Sequence, residues 1–420
     1  MAADLSARLA IIGAGPHGLA LAVRAVEHGY TPGEDLVVVD PSGRWLDTWI
    51  HQFAAYDIPS LRSPGVHHPG CDPGALGQWA QAHDRRSRAA YGQPRADAFE
   101  GFCDDLVRRH GLERSVIRGR ARLLAADADS ACVLLDEDRA LEAARLALAV
   151  NPGRRRIPGW VTDLLPQPTD VVAHAGDVDL RHVAVDGDVV TVVGGGLTAA
   201  HLALGALERG ARMVNLLIRR SLRVSTFDTD PGWLGPKELA GFAGLDPAAR
   251  ADAVLAARDG GSVPQSAAAA LREAAAGGGL CLHEHSRVVA GVRAERPVLV
   301  LGDERRVVSD RIWLATGTEA TVDSCRLLDD VVTAHPCPVH RGFPELTEDL
   351  RWPGTSLHVC GRLASLQLGP AAGNLWGARK AAERIVGQGV MRMVPPTESR
   401  PPVSSTTVTD QPKTVGRTTE

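Results

Sequence analysis

Three glycines spaced as Gly13-x-Gly15-x-x-Gly18 can organise chemistry without a reactive side chain of their own. The first permits a tight turn, the second lets backbone approach a pyrophosphate, and the third lets a helix pack on the preceding strand. Pro16 and His17 begin that helix, whose free N–H groups and partial positive charge suit phosphates. Asp40 ends the next apolar run, where a carboxylate can accept hydrogen bonds from ribose hydroxyls. A second copy reads Gly194-x-Gly196-x-x-Ala199, with Leu197 and Thr198 at the helix start. Here Arg219 and Arg220 stand where the first copy has its acid. Guanidinium groups can grip a 2′-phosphate that a carboxylate would repel, which predicts NADPH rather than NADH. Two solvated surface arginines are the alternative. A hydride donor at one site calls for an acceptor at the other, and FAD suits an N-terminal unit with a ribose-binding acid.

The elements that must position these turns are readable around them. Residues 9–12 form a short apolar strand, 19–28 a helix closed at Gly29, and 36–39 a second apolar strand. That is the order of a parallel βαβ unit. From Pro41 to Pro94 the chain is irregular and rich in Pro, Gly, His and Trp, and loops of that length are usually functional. A helix is expected over 98–110, a β-hairpin over 120–136, an apolar strand over 140–150, and a proline-punctuated linker over 154–168. The pattern restarts at Asp188 with a strand over 189–193, a helix over 197–209 closed by Gly210, and a strand over 214–218. Residues 249–276 read as one alanine-rich helical stretch. Strands are expected at 298–301, 311–315 and 357–360, and a helix at 374–386. Beyond Met393 Pro, Ser and Thr dominate, which predicts a disordered tail.

Composition narrows the class. A chain of 420 residues, 44% hydrophobic and 23% charged, is neither collagen-like, coiled-coil nor wholly disordered. The net charge of -4 gives no electrostatic reason to expect nucleic acid or an anionic membrane. No apolar run reaches the length of about 18 residues that a membrane-spanning helix needs. The seven cysteines form no CxxC pair, which argues against a disulfide framework, a zinc ribbon and a redox-disulfide flavoenzyme. Too few residues precede the first strand for a signal peptide, so a cytoplasmic protein is expected.

With these motifs in place, residues 8–390 resemble the FAD- and NADPH-dependent monooxygenases that have two dinucleotide-binding domains. That group includes flavin-containing monooxygenases, Baeyer–Villiger enzymes and amino-acid N-hydroxylases. The resemblance implies an α/β fold of two Rossmann-like domains, with the NADPH domain inserted into the FAD domain. The expected division is 1–185 and 309–393 for FAD, 186–308 for NADPH, and 394–420 for the tail. Ser42-Gly43-Arg44-Trp45 looks like the stretch that follows the ribose acid in that group. Leu314-Ala315-Thr316-Gly317 matches the strand end where the chain returns to the FAD domain, and Gly361 the glycine turn near the flavin ring. Arg362 replaces the acid common after that glycine in reductases. Of the Phe, Gly, His and Trp fingerprint before the second turn only His174 keeps its place, with Pro168, Asp170 and Val178 at the others. The N-hydroxylase sequence Trp-His-Pro-Gly is absent, and Trp49-Ile50-His51 is a loose echo.

The activity the resemblance implies is oxidation of a nitrogen or sulfur centre of a small metabolite by a flavin hydroperoxide made from O2. The protein then mainly binds, orients and excludes water. The sequence leaves the catalytic side chains undefined. His51 and Arg62 could bind an anionic group, although loop-shaping hydrogen bonds are the plainer reading. His67-His68-x-x-Cys71 reads as loop, and no metal is expected. The stretch 227–237, ending at Lys237, could cover the nicotinamide end or act as a rigid interdomain lid. His283 and His285 read as surface residues on a strand. Two rivals stay open: an FAD/NAD(P)H reductase serving a quinone or protein carrier, and a non-catalytic flavoprotein that senses redox state. The partners expected are a small-molecule substrate and O2, with homo-oligomerisation left open.

Overall fold

The structure is a computed structural model that describes residues 5–85, 92–151, 153–164, 171–258 and 260–387. Pro168, Asp170 and the expected tail lie outside the described residues.

The chain opens with β1 (Leu5–Ile12), α1 (Pro16–Glu27) and β2 (Leu36–Asp40). Leu9–Ile12 of β1 and Leu36–Val39 of β2 are buried apolar runs because both of their faces are covered, as in a parallel sheet between helices. β1 and β2 pair in parallel, Leu9 with Leu36 through Ile12 with Val39. Helices α2 (Asp47–Ala55), α3 (Ala75–Ala82) and α4 (Ala96–Arg109) follow. The first two interrupt the stretch that the sequence reads as irregular. In α2, Trp49 and Phe53 sit one turn apart and stack at 3.9 Å, which gives the segment a helical apolar face.

Next come β3 (Val116–Arg118), β4 (Ala121–Ala126), β5 (Ala131–Leu135) and β6 (Ala140–Leu148). The sheet order is β3-β2-β1-β6-β5-β4. The first half of β6 pairs with β5, and its last residues pair in parallel with Leu357–Val359. The first core therefore joins residues 9–148 to residues 322–386, with Trp352 and the helix Leu375–Gly387 closing it.

A second parallel sheet repeats the plan. Its order is Leu280–His283, Met213–Leu217, Val189–Val193, Arg311–Leu314, Val172–His174. Each sheet thus sets its glycine-turn strand between the next strand in sequence and a late-arriving one. Strands Val172–His174 and Arg311–Leu314, which flank residues 186–308, hydrogen-bond into this second sheet. Helix α5 (Leu197–Glu208) covers it, followed by α6 (Pro236–Ala243), α7 (Pro247–Ala257) and α8 (Gln265–Ala276). The single helical stretch expected over 249–276 is two helices. Pro264 caps α8, and positive-φ Gly260 turns the chain before it.

Candidate functional site

The first turn is built from what its glycines lack. Gly13 has φ 106°, and a Cβ there would stand 2.7 Å from the carbonyl oxygen of Ala149. A methyl on Gly18 would overlap the carbonyl oxygen of Gly13, so α1 seats directly on the turn. Gly15 differs: nothing lies within 4 Å of where its Cβ would be. That open space lies at the N-terminus of α1, with Gly15 at the cap and Pro16 just inside. His17 adds an enclosed Nδ1 without a hydrogen-bond partner. Burial pulls its pKa down to about 4, opposed in part by a hydrogen bond to the Gly373 backbone, so the imidazole is neutral near pH 7.

Asp40 is held rigidly at the end of β2. One carboxylate oxygen accepts from the Ala14 N–H at 3.0 Å, and the other from the Ser42 N–H at 2.9 Å and hydroxyl at 2.6 Å. The oxygen that meets Ala14 keeps a further lone pair for a ribose hydroxyl. Gly361, at φ 73°, faces the His17 ring, and the next side chain folds over Gly373. That side chain is Arg362, whose Nη1 is 3.5 Å from Thr318 Oγ1. Among the described residues no carboxylate lies within ion-pair distance of it. Burial, then the charges of Arg258 and Arg156, bring its guanidinium down to about 10. An open cradle, an orphaned buried nitrogen and a buried guanidinium fit the pyrophosphate of FAD.

The second turn is built from the same parts. Gly194 is closed against Ala315, where a Cβ would overlap the carbonyl oxygen, and Gly196 caps α5 ahead of Leu197, Thr198 and Ala199. Its cradle is not open. A Cβ on Gly196 would lie 3.3 Å from the Cα of Gly261, and one on Gly261 would lie 2.7 Å from the Gly196 nitrogen. Arg220 packs its guanidinium beside Gly260, where a Cβ would be 2.9 Å from Cζ. Arg219 precedes it after the Met213–Leu217 strand. Gly261 therefore packs against Gly196 at the N-terminus of α5, where a dinucleotide pyrophosphate would approach.

Arg62 holds that segment. Its guanidinium donates to the carbonyl oxygens of Ser262 (2.9 Å), Ser225 (2.7 Å) and Phe227 (2.8 Å). Asp228, 3.8 Å from Arg62, also pairs with Arg258 at 2.9 Å. Arg258 in turn donates to Thr229 Oγ1 (3.2 Å) and the Pro370 carbonyl (3.1 Å), and Asn374 Nδ2 donates to Thr229 at 3.1 Å. The seam between the units thus runs through 225–229, while Lys237 is exposed at the start of α6. Thr229 lies in the stretch 227–237 singled out from the sequence, whereas Ser262 and Arg258 were missed, because only the fold brings them to Arg62 and Thr229.

Other sequence candidates fall elsewhere. His51 is exposed on α2, with Nδ1 3.2 Å from Arg181 and Nε2 3.9 Å from Asp179. Arg44 is exposed beside Asp47, and Trp45 Nε1 donates to the Leu112 carbonyl at 3.1 Å while its ring packs on the first core. Thr316 donates to the Arg156 carbonyl, and the Gly317 carbonyl accepts from Arg156 N–H at 3.1 Å and meets His174 Nε2 at 3.2 Å. These residues form a joint with the linker. His68 Nδ1 accepts from the Gly70 N–H and Nε2 meets the Pro73 carbonyl, so the ring shapes its loop. His283 bonds Asn215, and His285, just beyond that strand, bonds Ser221.

Residues 10–152 match a family model described as FAD-NAD(P)-binding. No curated protein matches the chain. Among solved structures, an ornithine N-hydroxylase from Kutzneria sp. 744, in a complex named with reduced FAD, NADP+ and L-ornithine, is similar at TM-score 0.71 and 16% identity, covering 92% of this chain and 99% of that one. The FAD-bound cadaverine monooxygenase of desferrioxamine biosynthesis from Erwinia amylovora is similar at TM-score 0.72 and 15% identity, covering 97% and 100%. A bacillithiol disulfide reductase from Bacillus cereus is similar at TM-score 0.59 and 18% identity, covering 92% and 100%. The fold is that of flavoproteins with two dinucleotide-binding domains, as the two turns imply.

Proposed function

We propose that the protein is an FAD-dependent, NADPH-consuming monooxygenase that oxidises a nitrogen or sulfur centre of a small metabolite, with a primary amine the first substrate class to test. One observation carries the reading: 92–97% of the chain shares its architecture with an ornithine N-hydroxylase and a cadaverine monooxygenase, at higher TM-scores than with the disulfide reductase. Bound FAD supplies the redox chemistry that activates dioxygen once NADPH has reduced it. The chain's residues do the rest. Gly13, Gly15 and Gly18 shape the pyrophosphate cradle, Asp40 holds ribose hydroxyls, and Arg362 offers a positive charge to an anionic cofactor. The seam of Thr229, Arg258, Pro370 and Asn374 closes the units against each other, which limits water at a reacting centre.

The test is turnover of FAD-loaded protein with NADPH, labelled dioxygen and a panel of amines and thioethers. Label should enter one product in proportion to NADPH consumed. Stoichiometric hydrogen peroxide with every compound offered refutes the reading.

A second reading, a reductase serving a quinone or protein carrier, is favoured by the reductase-like neighbour. A thiol route does not suit it here. Cys360, beside Gly361, donates its S–H to the Leu148 carbonyl, and burial pushes its pKa up to about 12, so it carries no thiolate. Fast anaerobic turnover with an artificial acceptor, without labelled product in air, favours this second reading.

A further inference from the structure

The second glycine turn is complete in sequence but covered in the fold. Gly261 lies over the Gly196 nitrogen so closely that a single methyl on it would overlap the Gly196 Cα. Only a glycine fits there, and Gly261, unlike Gly260, has no positive φ that would require one for backbone reasons. The close approach is therefore a matter of space. Three sets of contacts hold the segment down. Arg62, from the first unit, donates to the carbonyl and hydroxyl of Ser262. The Ser225 N–H donates to the Val263 carbonyl, and the Val263 N–H donates to the Arg223 carbonyl, each at 2.9 Å. Arg258, just upstream, is tied to Asp228 and to Pro370 of the first unit.

A dinucleotide pyrophosphate at the start of α5 and the segment 260–263, which packs against Gly196, compete for the same space, so they exclude each other. We propose that residues 260–263 are a displaceable occupant of the nicotinamide-nucleotide site. NADPH binds only when this segment leaves the turn, and leaving loosens the contacts through which the first unit holds the second. The inference rests on the NADPH-consuming reading above and adds a gate to it. Such a gate ties nucleotide entry to the seam between units and lowers apparent affinity by the fraction of molecules that are open.

Two variants of the FAD-loaded full chain test it. Gly261→Ala places a methyl where the closed state has no room, leaves charge unchanged and costs nothing in the open state. Arg258→Ala removes the ties to Asp228 and Pro370. NADP+ affinity is read by titration calorimetry, with FAD content and melting temperature as controls on folding. Both variants should bind NADP+ about five-fold or more tighter than wild type, the gain expected when a mostly closed population opens. Hydrogen exchange in wild type gives a readout independent of variants: NADP+ should speed exchange at the Ser225 and Val263 amides. Equal or weaker binding by Gly261→Ala with normal FAD content, or slower exchange at those amides, overturns the gate alone. No NADP+ binding by wild type or either variant overturns the NADPH-consuming reading together with the gate.

Discussion

Gly15 and Gly18 belong to one motif, but the structure predicts opposite consequences for adding a methyl group to each. At Gly15 the methyl meets nothing within 4 Å, and the backbone there is at φ -77°, which alanine adopts freely. The remaining cost is the weaker cap, at most about 1 kcal/mol. That shifts the melting temperature of the flavin-free protein by about 1 °C or less. The same methyl fills the cradle, where it displaces at least one charge-assisted hydrogen bond to pyrophosphate. Such a bond contributes about 1.5–3 kcal/mol, so the Kd for FAD should rise about ten- to a hundred-fold. At Gly18 the methyl overlaps the Gly13 carbonyl oxygen, and neither α1 nor the turn can yield without moving. Gly18→Ala should therefore cost about 1–3 kcal/mol or more of stability before cofactor enters. The assay pairs flavin-free melting curves with FAD titration followed by flavin fluorescence. If Gly15→Ala takes up FAD as tightly as wild type, or melts as early as Gly18→Ala, the placement of the pyrophosphate over Gly15 is wrong.

Other expectations come from buried polar groups. His17 and His68 each have a folded pKa lowered to about 4 by burial, so the folded chain refuses protons that the unfolded chain accepts. Their effect on stability is absent above an unfolded pKa of about 6.5 and grows as pH falls toward 4; His17→Gln should flatten the loss of melting temperature across that window. Arg62→Lys should not rescue Arg62→Ala, because one ammonium cannot reproduce a fork across three carbonyl groups, and both should lower stability by about 2–4 kcal/mol in denaturant unfolding. Thiol labelling of the native protein should be fast at exposed Cys132 and Cys281 and slow at buried Cys103, Cys325 and Cys360. Fast labelling of Cys360 would contradict its hydrogen bond to Leu148.

The two glycine turns were legible because each is local: strand, turn, helix and next strand lie within a short stretch, and Gly13, Gly18 and Gly194 each have a steric reason. The place of Asp40 at the end of β2 was legible for the same reason. The helix α2 was not, because Leu46 enters it at φ 59° with no conventional cap, and tryptophan, proline and histidine nearby suggest a loop. The Trp49–Phe53 spacing was the signal available. The break between α7 and α8 was masked by alanine, although Gly260, Gly261 and Pro264 stand in the middle of that run. The pairing of Val172–His174 with Arg311–Leu314 could not be read, because Val172–His174 has only three residues and finds its place through a partner far along the chain. Contacts between Arg62 and Ser262, and between Gly196 and Gly261, depend on how the two units meet, and no periodicity encodes that.

The pairing of β6 with Leu357–Val359 sets an order of events during synthesis. The middle sheet has all five of its strands once Leu314 has left the ribosome. The first core, begun with Leu9, still waits for Leu357 and for the helix ending at Gly387. Nascent chains must therefore carry an unfinished amino-terminal half past a finished central one, and long-range closure of this kind is slow and exposes apolar surface meanwhile. Early FAD capture by the β1-α1-β2 turn would shield part of that surface, so flavin supply should influence the yield of intact protein.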